Sequence, residues 1–137
     1  IVSAQLKAFP EAYGGGAHTT GGAGGVVIHV TNLNSSGAGS FREALFTTGA
    51  RTIVFDVAGE IYIPNEFSFY GYYLGTAYGD LTIAGETAPA GGITLTGYGI
   101  TCEASNIIVR YIRCRGTGAL DLIPNADWHR LSTREAF

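Results

Sequence analysis

Hydrophobic residues in this chain come in short runs that alternate with polar residues and stop at glycines. In positions 51–63, "RTIVFDVAGEIYI", Ile53 and Phe55 point to one side of an extended strand, and Val54 and Asp56 point to the other. The later runs "LTIAGE", "ITLTG" and "IIVRYIRCR" have the same β-branched character. From this segment onward the pattern predicts strands of about four to six residues with no helix between them.

Similar strand starts recur along the chain. Triplets that begin at Thr52, Leu81 and Asn106 lie 29 and 25 residues apart. A quasi-repeat of this length predicts a solenoid, in which each coil stacks on the previous one. Hairpins are the rival arrangement, but the tight hairpin signals Asn-Gly and Asp-Gly are absent from the sequence. We therefore expect coils of three short strands around a narrow apolar core.

The segment 106–116, "NIIVRYIRCRG", predicts a bend rather than one straight strand. A bend near Arg110–Tyr111 shifts the alternation by one residue, so that Arg110, Arg113 and Arg115 all face solvent. A straight strand would instead bury at least one arginine on an apolar face, which is costly without a partner. We therefore expect the three arginines to be solvated surface charges.

Two segments before the strands have distinct patterns. "SFREALF" at 40–46 predicts a short helix, because Ser40 and Glu43 have capping-box spacing and Phe41, Ala44 and Leu45 share one side. The glycine-rich "GGGAHTTGGAGG" at 14–25 lacks the lysine and following helix of a phosphate-binding loop. Its glycines instead predict positive φ angles and close backbone packing.

An aromatic segment at 64–79, "PNEFSFYGYYLGTAYG", is predicted to be an insert that stands apart from the coils. Its six aromatic side chains in sixteen residues could form a platform for sugar rings, with Tyr72 and Tyr73 as the candidate contacts. The alternative is that the segment packs on the flank of the coils with its tyrosine hydroxyls in water.

Composition narrows the function classes. The 137 residues fit one domain, predicted as an amino-terminal cap with a first strand (1–50), coils (51–116) and a divergent tail (117–137). A net charge of −3 does not suggest nucleic-acid binding, and no apolar run approaches the ~18 residues of a membrane span. Cys102 and Cys114 are expected to be small buried hydrophobic residues, with a disulfide as the alternative. The start at Ile1 and the absence of methionine suggest a processed product or a fragment.

Several phrases, taken together and in order, resemble the amino-terminal part of the pectate lyase-like polysaccharide lyases. They are "AFPEAYGGGAHTTGGAGGVVIHVTNLNSSGAGSFREAL", "RTIVFDVAGEI", "LTIAGETAPAGGITLTGYGI" and "NIIVRYIRCR", which span residues 8–115. The resemblance implies an all-β fold, a short right-handed single-stranded parallel β-helix, whose open amino-terminal end is capped by the helix at 40–47.

The resemblance also implies a function. Members of this family are secreted and cleave pectic or related acidic polysaccharides by β-elimination, with calcium on the sugar carboxylate and an arginine as the base. The calcium ligands and the arginine follow the "VRYIR" phrase in the family, where this chain reads "GTGALDLIPNADWHRLSTREAF". Asp121 is the only acid here near the expected metal position. No catalytic residue can be assigned, and we expect this chain alone to be inactive or very weakly active.

The last residues offer two further interpretations. Asp127 and His129 could form a catalytic pair, but Trp128 separates them and an exposed tail is the simpler reading. Residues 125–137 could also form a final helix, with Asn125 as its N-cap, that covers the open end of the coils.

Three functions are consistent with the sequence. The first is a truncated or fragmentary lyase that binds an acidic, pectin-type polysaccharide through Tyr72, Tyr73, Arg113 and Arg115. The second is a non-catalytic carbohydrate-binding module, and the third is a structural β-helix without a small-molecule site.

Overall fold

The computed structural model describes residues 6–66, 71–116 and, for the backbone alone, 130–131. Strands dominate this part of the chain, and its one α-helix has five residues. The strands are β1 (Val26–Val30), β2 (Arg51–Phe55), β3 (Gly59–Ile63), β4 (Tyr72–Leu74), β5 (Leu81–Ala84), β6 (Ile93–Gly97), β7 (Ile100–Cys102), β8 (Ile107–Arg110), β9 (Ile112–Gly116) and β10 (Arg130–Leu131). The helices are α1 (Phe41–Leu45) and two 3₁₀ turns, Thr76–Tyr78 and Gly85–Thr87.

The strands form three sheets, and from β2 onward strands that follow one another in sequence lie in different sheets. One sheet has the order β1-β2-β5-β8, the second β3-β6-β9 and the third β10-β7-β4. All pairs are parallel except that of β10 with β7. Little helix and mostly parallel sheets are consistent with the predicted all-β parallel β-helix.

The core lies between the sheets and is made by alternate residues of each strand. In β2 and β3 the buried apolar residues are Ile53, Phe55, Ile61 and Ile63, as the alternation predicted for 51–57. Corresponding positions in β5, β6 and β7 supply Leu81, Ile83, Ile93, Leu95 and Ile100. Strands β2, β3 and β4 show this most clearly, because each buries one face and leaves the other on the exterior.

The observed register differs by one residue from the alignment of similar triplets. Arg51 pairs with Leu81, and Leu81 pairs with Ile107, whereas the triplets aligned Thr52 with Leu81 and Leu81 with Asn106. A one-residue shift moves every side chain to the opposite face of the sheet. Burial of Ile53 and Ile83 on the same inner face fixes the observed register.

The predicted bend in 106–116 is confirmed at Tyr111. This residue has φ of 53° and separates β8 from β9. As a result Ile112 and Cys114 pack against the core, and Arg113 and Arg115 are exposed. Arg110 is half-buried, because its guanidinium pairs with Glu86 at 3.0 Å and lies 4.5 Å from the centroid of the Phe9 ring.

The short helix α1 has the predicted start and apolar side. The Ser40 hydroxyl accepts a hydrogen bond from the Glu43 amide at 3.3 Å, and the Glu43 carboxylate accepts one from the Gly39 amide at 2.9 Å. Phe41, Ala44 and Leu45 are buried in the core. Because so short a helix is not stable alone, this packing must hold it in place.

Arg51 is fully buried and secures the end of α1. Its guanidinium donates five hydrogen bonds. The acceptors are the backbone carbonyl oxygens of Ala44, Leu45, Gly49, Tyr78 and Gly79. Burial lowers the pKa of the Arg51 guanidinium. All five donors are satisfied, which offsets part of the cost of burying this charge.

The aromatic segment 64–79 is not an insert. Its second half contains β4, which pairs in parallel with β7 in the third sheet, with Tyr72 opposite Ile100. Tyr72 and Leu74 are buried because they occupy the inner positions of this strand. Residues 67–70, which include Phe67 and Phe69, lie outside the described residues.

The prediction of a helix over 125–137 is wrong at Arg130–Leu131. These residues are extended and pair antiparallel with Thr101 and Ile100. The unpaired edge of β7 offers backbone donors and acceptors, and a strand satisfies them where a helix cannot. The remaining residues of that prediction, with Asp121, Asn125, Asp127 and His129, lie outside the described residues.

Candidate functional site

The exterior of the β3-β6-β9 sheet carries the two predicted arginine contacts. Strand register places outward side chains in two rows that run across the three strands. One row is Glu60, Thr94 and Arg113, and the next is Tyr62, Thr96 and Arg115. Two cations, one anion and an aromatic ring thus share one sheet face, which we call the arginine face.

The two arginines of this face differ in how firmly they are held. The Arg113 Nε donates to the Thr94 hydroxyl at 3.0 Å, and its Nη2 donates to the Gly91 carbonyl. Arg115 makes no hydrogen bond or ion pair with another residue in the described part of the chain. The planar set of N–H donors on its guanidinium is therefore available to bind a carboxylate of another molecule.

Tyr62 is a functional candidate that the sequence reasoning missed. Its side chain is 49% exposed and lies on the same row as Arg115. A Cβ added at Gly97 would lie 2.9 Å from Cε2 of the Tyr62 ring, so the ring lies close over this glycine. The alternation in "GEIYI" placed Tyr62 outward with Glu60 and was the available signal.

Tyr72, a predicted substrate contact, is in the wrong place to stack on a sugar. It is 0% exposed, and its hydroxyl donates to the Ser35 carbonyl at 2.5 Å. Burial, with a smaller effect from Glu66, raises the pKa of Tyr72 to about 12. A ring enclosed by the core offers no face to a glycan, so Tyr72 is withdrawn as a contact.

Tyr73, the neighbouring candidate, lies on the outer side of β4. A hydrogen bond to the Glu103 carboxylate raises the pKa of Tyr73. Its strand belongs to the sheet of β4 and β7, not to the arginine face. The four predicted contacts therefore do not form one site: two share a face, one lies on another sheet and one is in the core.

The exterior of the first sheet is covered by the glycine-rich loop around Thr82 and Ile108, whereas Val27 of β1 is exposed. The Gly22 amide donates to the Thr82 hydroxyl at 3.0 Å, and a Cβ at Gly21 would lie 2.9 Å from Cδ1 of Ile108. Asn106 holds this loop: its Oδ1 accepts hydrogen bonds from the amides of Thr20 and Gly21. The glycines thus serve close packing, as predicted.

No cluster of three or more His, Cys, Asp or Glu side chains in the described part of the chain could hold a metal ion. Calcium takes six to eight oxygen ligands. The described residues therefore do not fit a calcium site, and Asp121, the predicted ligand, lies outside them.

Both cysteines are free thiols that pack against the core. Burial raises the pKa of Cys102 to about 11 and also raises that of Cys114. Thiols that stay protonated at neutral pH are poor nucleophiles and poor metal ligands. Both cysteines pack against the core as predicted, but each is partly rather than fully buried.

Comparison with known proteins identifies relatives over most of the chain. It is 42% identical over 130 residues to "Probable pectate lyase C" of Aspergillus oryzae, which covers 91% of this chain and 29% of the relative. The protein of the same name from Emericella nidulans is 45% identical over 111 residues, which cover 80% of this chain and 24% of the relative. That of Aspergillus fumigatus is 41% identical over 131 residues. No protein-family model matches the chain.

The chain thus spans less than a third of the length of these relatives. No helix in the described part of the chain has the length and apolar character to span a membrane. Identities of 41–45% over 80–92% of this chain confirm the predicted resemblance to the pectate lyase-like family.

Proposed function

We propose that this chain is part of a longer, secreted protein that cleaves an acidic, pectin-type polysaccharide by β-elimination. The observation that carries the proposal is 42% identity over 130 residues to a relative named as a probable pectate lyase. The parallel register of the strands supports the same origin, because it is consistent with the fold that the family resemblance implies.

The finer architecture is part of this proposal. In it the three sheets are the sides of a right-handed solenoid, and α1 covers the end formed by β1. Support comes from the equivalent strands β2, β5 and β8, which stack in order, and from the contact of α1 with β1. Among the described residues the outer edges of β8 and β9 pair with no further strand, and in this proposal additional coils pair with them.

The chemistry would belong to residues outside the described part of the chain. A bound calcium ion would neutralise charge on the uronate carboxylate. An arginine acts as a base only where its surroundings strongly lower its pKa. Arg51 has a lowered pKa, but it is fully buried and its five donors face backbone carbonyls, so substrate cannot reach it. Arg113 and Arg115 are proposed as glycan contacts only.

The test compares this chain with a longer chain that continues beyond residue 137. Both are incubated with polygalacturonate and calcium, and ultraviolet absorbance measures the unsaturated product. We expect product from the longer chain and none from residues 1–137, and a chelator should stop the longer chain. Robust product from residues 1–137 would refute the expectation that this chain alone lacks the catalytic residues. Absence of product from the longer chain would refute the proposed function.

A further inference from the structure

The arginine face has the features of a binding surface that does not itself catalyse a reaction. Its outward residues are fixed by the register of β3, β6 and β9, so their relative positions do not depend on a loop. Tyr62, Arg113 and Arg115 are all exposed. On the β1-β2-β5-β8 sheet, by contrast, the exterior around Thr82 and Ile108 is already covered by the chain's own loop.

The spacing of these groups suits an extended ligand. Arg113 and Arg115 are two residues apart on one strand, which separates their Cα atoms by about 6.6 Å. Tyr62 and Arg115 lie two strands apart on one row, which separates them by about 10 Å. A ligand that contacts all three must therefore be longer than one sugar ring and must lie across the strands.

The charges of this face select the kind of ligand. Arg115 has donors without recorded partners in the described chain, and Arg113 retains Nη1 after its bonds to Thr94 and Gly91. Two cations against the single Glu60 leave the face with positive charge, although the whole chain has a net charge of −3. Guanidinium groups bind carboxylates with paired hydrogen bonds, and an exposed tyrosine offers an apolar ring face.

We propose that the arginine face binds an acidic polysaccharide chain at a site separate from the lyase chemistry. Arg115 binds a uronate carboxylate, Tyr62 packs on a nearby sugar ring, and Arg113 contributes a weaker second cation. The choice of an acidic polysaccharide as the ligand rests on the proposed function; the location of the site rests on the register and exposure of these residues.

The test measures binding of residues 1–137 to oligogalacturonates of about eight sugars by titration calorimetry. A chelator is present throughout, so that calcium does not contribute. We expect Arg115→Gln and Tyr62→Ala each to weaken binding by roughly fivefold to tenfold, and Arg113→Gln by less. High salt should also weaken binding, because the contact is between exposed charges.

Matched variants elsewhere on the surface control for general effects. Lys7→Gln removes an exposed cation and Tyr13→Ala removes a 91% exposed ring, both far in sequence from the arginine face. We expect neither to change the affinity. Arg115→Lys retains the charge but not the planar fork, and should lie between wild type and Arg115→Gln. Thermal unfolding confirms that each variant is folded, and Tyr62→Leu replaces Tyr62→Ala if the latter is not.

Three results would overturn the inference. These are unchanged affinity in Arg115→Gln and Tyr62→Ala, equal loss in the control variants, or equally tight binding of poly-glutamate, which would show a surface that attracts any polyanion. Because the assay needs no cleavage, it is independent of the lyase test. Binding without lyase activity in the longer chain would contradict the proposed function only.

Discussion

The β1-β2-β5-β8 and β3-β6-β9 sheets of this protein have similar interiors but differ in how much of their exterior the chain itself covers. In both, the inner face consists mostly of β-branched and leucine side chains. In the first sheet the exterior of β2, β5 and β8 lies under a glycine-rich loop that is hydrogen-bonded to Thr82 and Asn106. The exterior of β3-β6-β9 instead presents Tyr62, Arg113 and Arg115 to solvent. A repeated strand pattern therefore fixes the core, and what covers each sheet decides where a ligand has access.

The largest loss of stability is expected from a substitution where the glycine-rich loop touches the backbone of the sheet that it covers. A Cβ at Gly22 would lie 1.9 Å from the Arg51 carbonyl oxygen, so Gly22→Ala must displace the loop or the strand. We expect a loss of about 3 kcal/mol in the free energy of unfolding, measured by urea denaturation. Gly15→Ala is the control, because a Cβ there meets nothing within 4 Å. Equal stability of the two variants would show that the loop does not pack as described.

A smaller loss is expected at the residue that holds the loop. Asn106 has φ of 59° and hydrogen-bonds Thr20, Gly21 and Asp80 through its side chain. Asn106→Ala removes these bonds and places alanine in a left-handed conformation, so we expect a loss of about 2 kcal/mol. Asn106→Gly also removes the side-chain hydrogen bonds but adopts the left-handed conformation at little steric cost. Comparison of the two variants therefore separates the loss of hydrogen bonds from the backbone strain. Amide exchange at Gly21 and Gly22 should become faster as stability is lost. Unchanged exchange would show that Asn106 does not hold the glycine-rich loop.

The smallest loss of stability is expected from valine substitution of two threonines, one on the exterior of each sheet. Thr82 accepts a hydrogen bond from the Gly22 amide. Thr96 lies on the arginine face, where no loop residue in the described part of the chain hydrogen-bonds to its side chain. Thr82→Val leaves that amide without its partner and should cost about 1 kcal/mol in thermal or urea unfolding. Thr96→Val should change stability by less than about 0.5 kcal/mol. If both variants lose the same stability, the contrast between the two exteriors is wrong.

The core strands and the bend were predictable because they depend on local alternation. Ile53 and Phe55 are buried as expected, and Tyr111 forms the corner that turns Arg113 and Arg115 outward. The register was one residue off, because neighbouring apolar residues allow two alignments and only packing chooses between them. Tyr72 was assigned to a surface insert because aromatic composition does not distinguish a loop from a buried strand.

The sequence by itself determined the short strands, the apolar inner faces, the corner at Tyr111 and the resemblance to the pectate lyase-like family. These properties follow from which residues are neighbours along the chain. Only the tertiary structure decided that Tyr72 is buried, that Arg51 holds five backbone carbonyls and that Tyr62 shares a row with Arg115. Each of these depends on contacts between segments tens of residues apart, which are set by the stacking of strands and by the loop that covers one sheet but not the other.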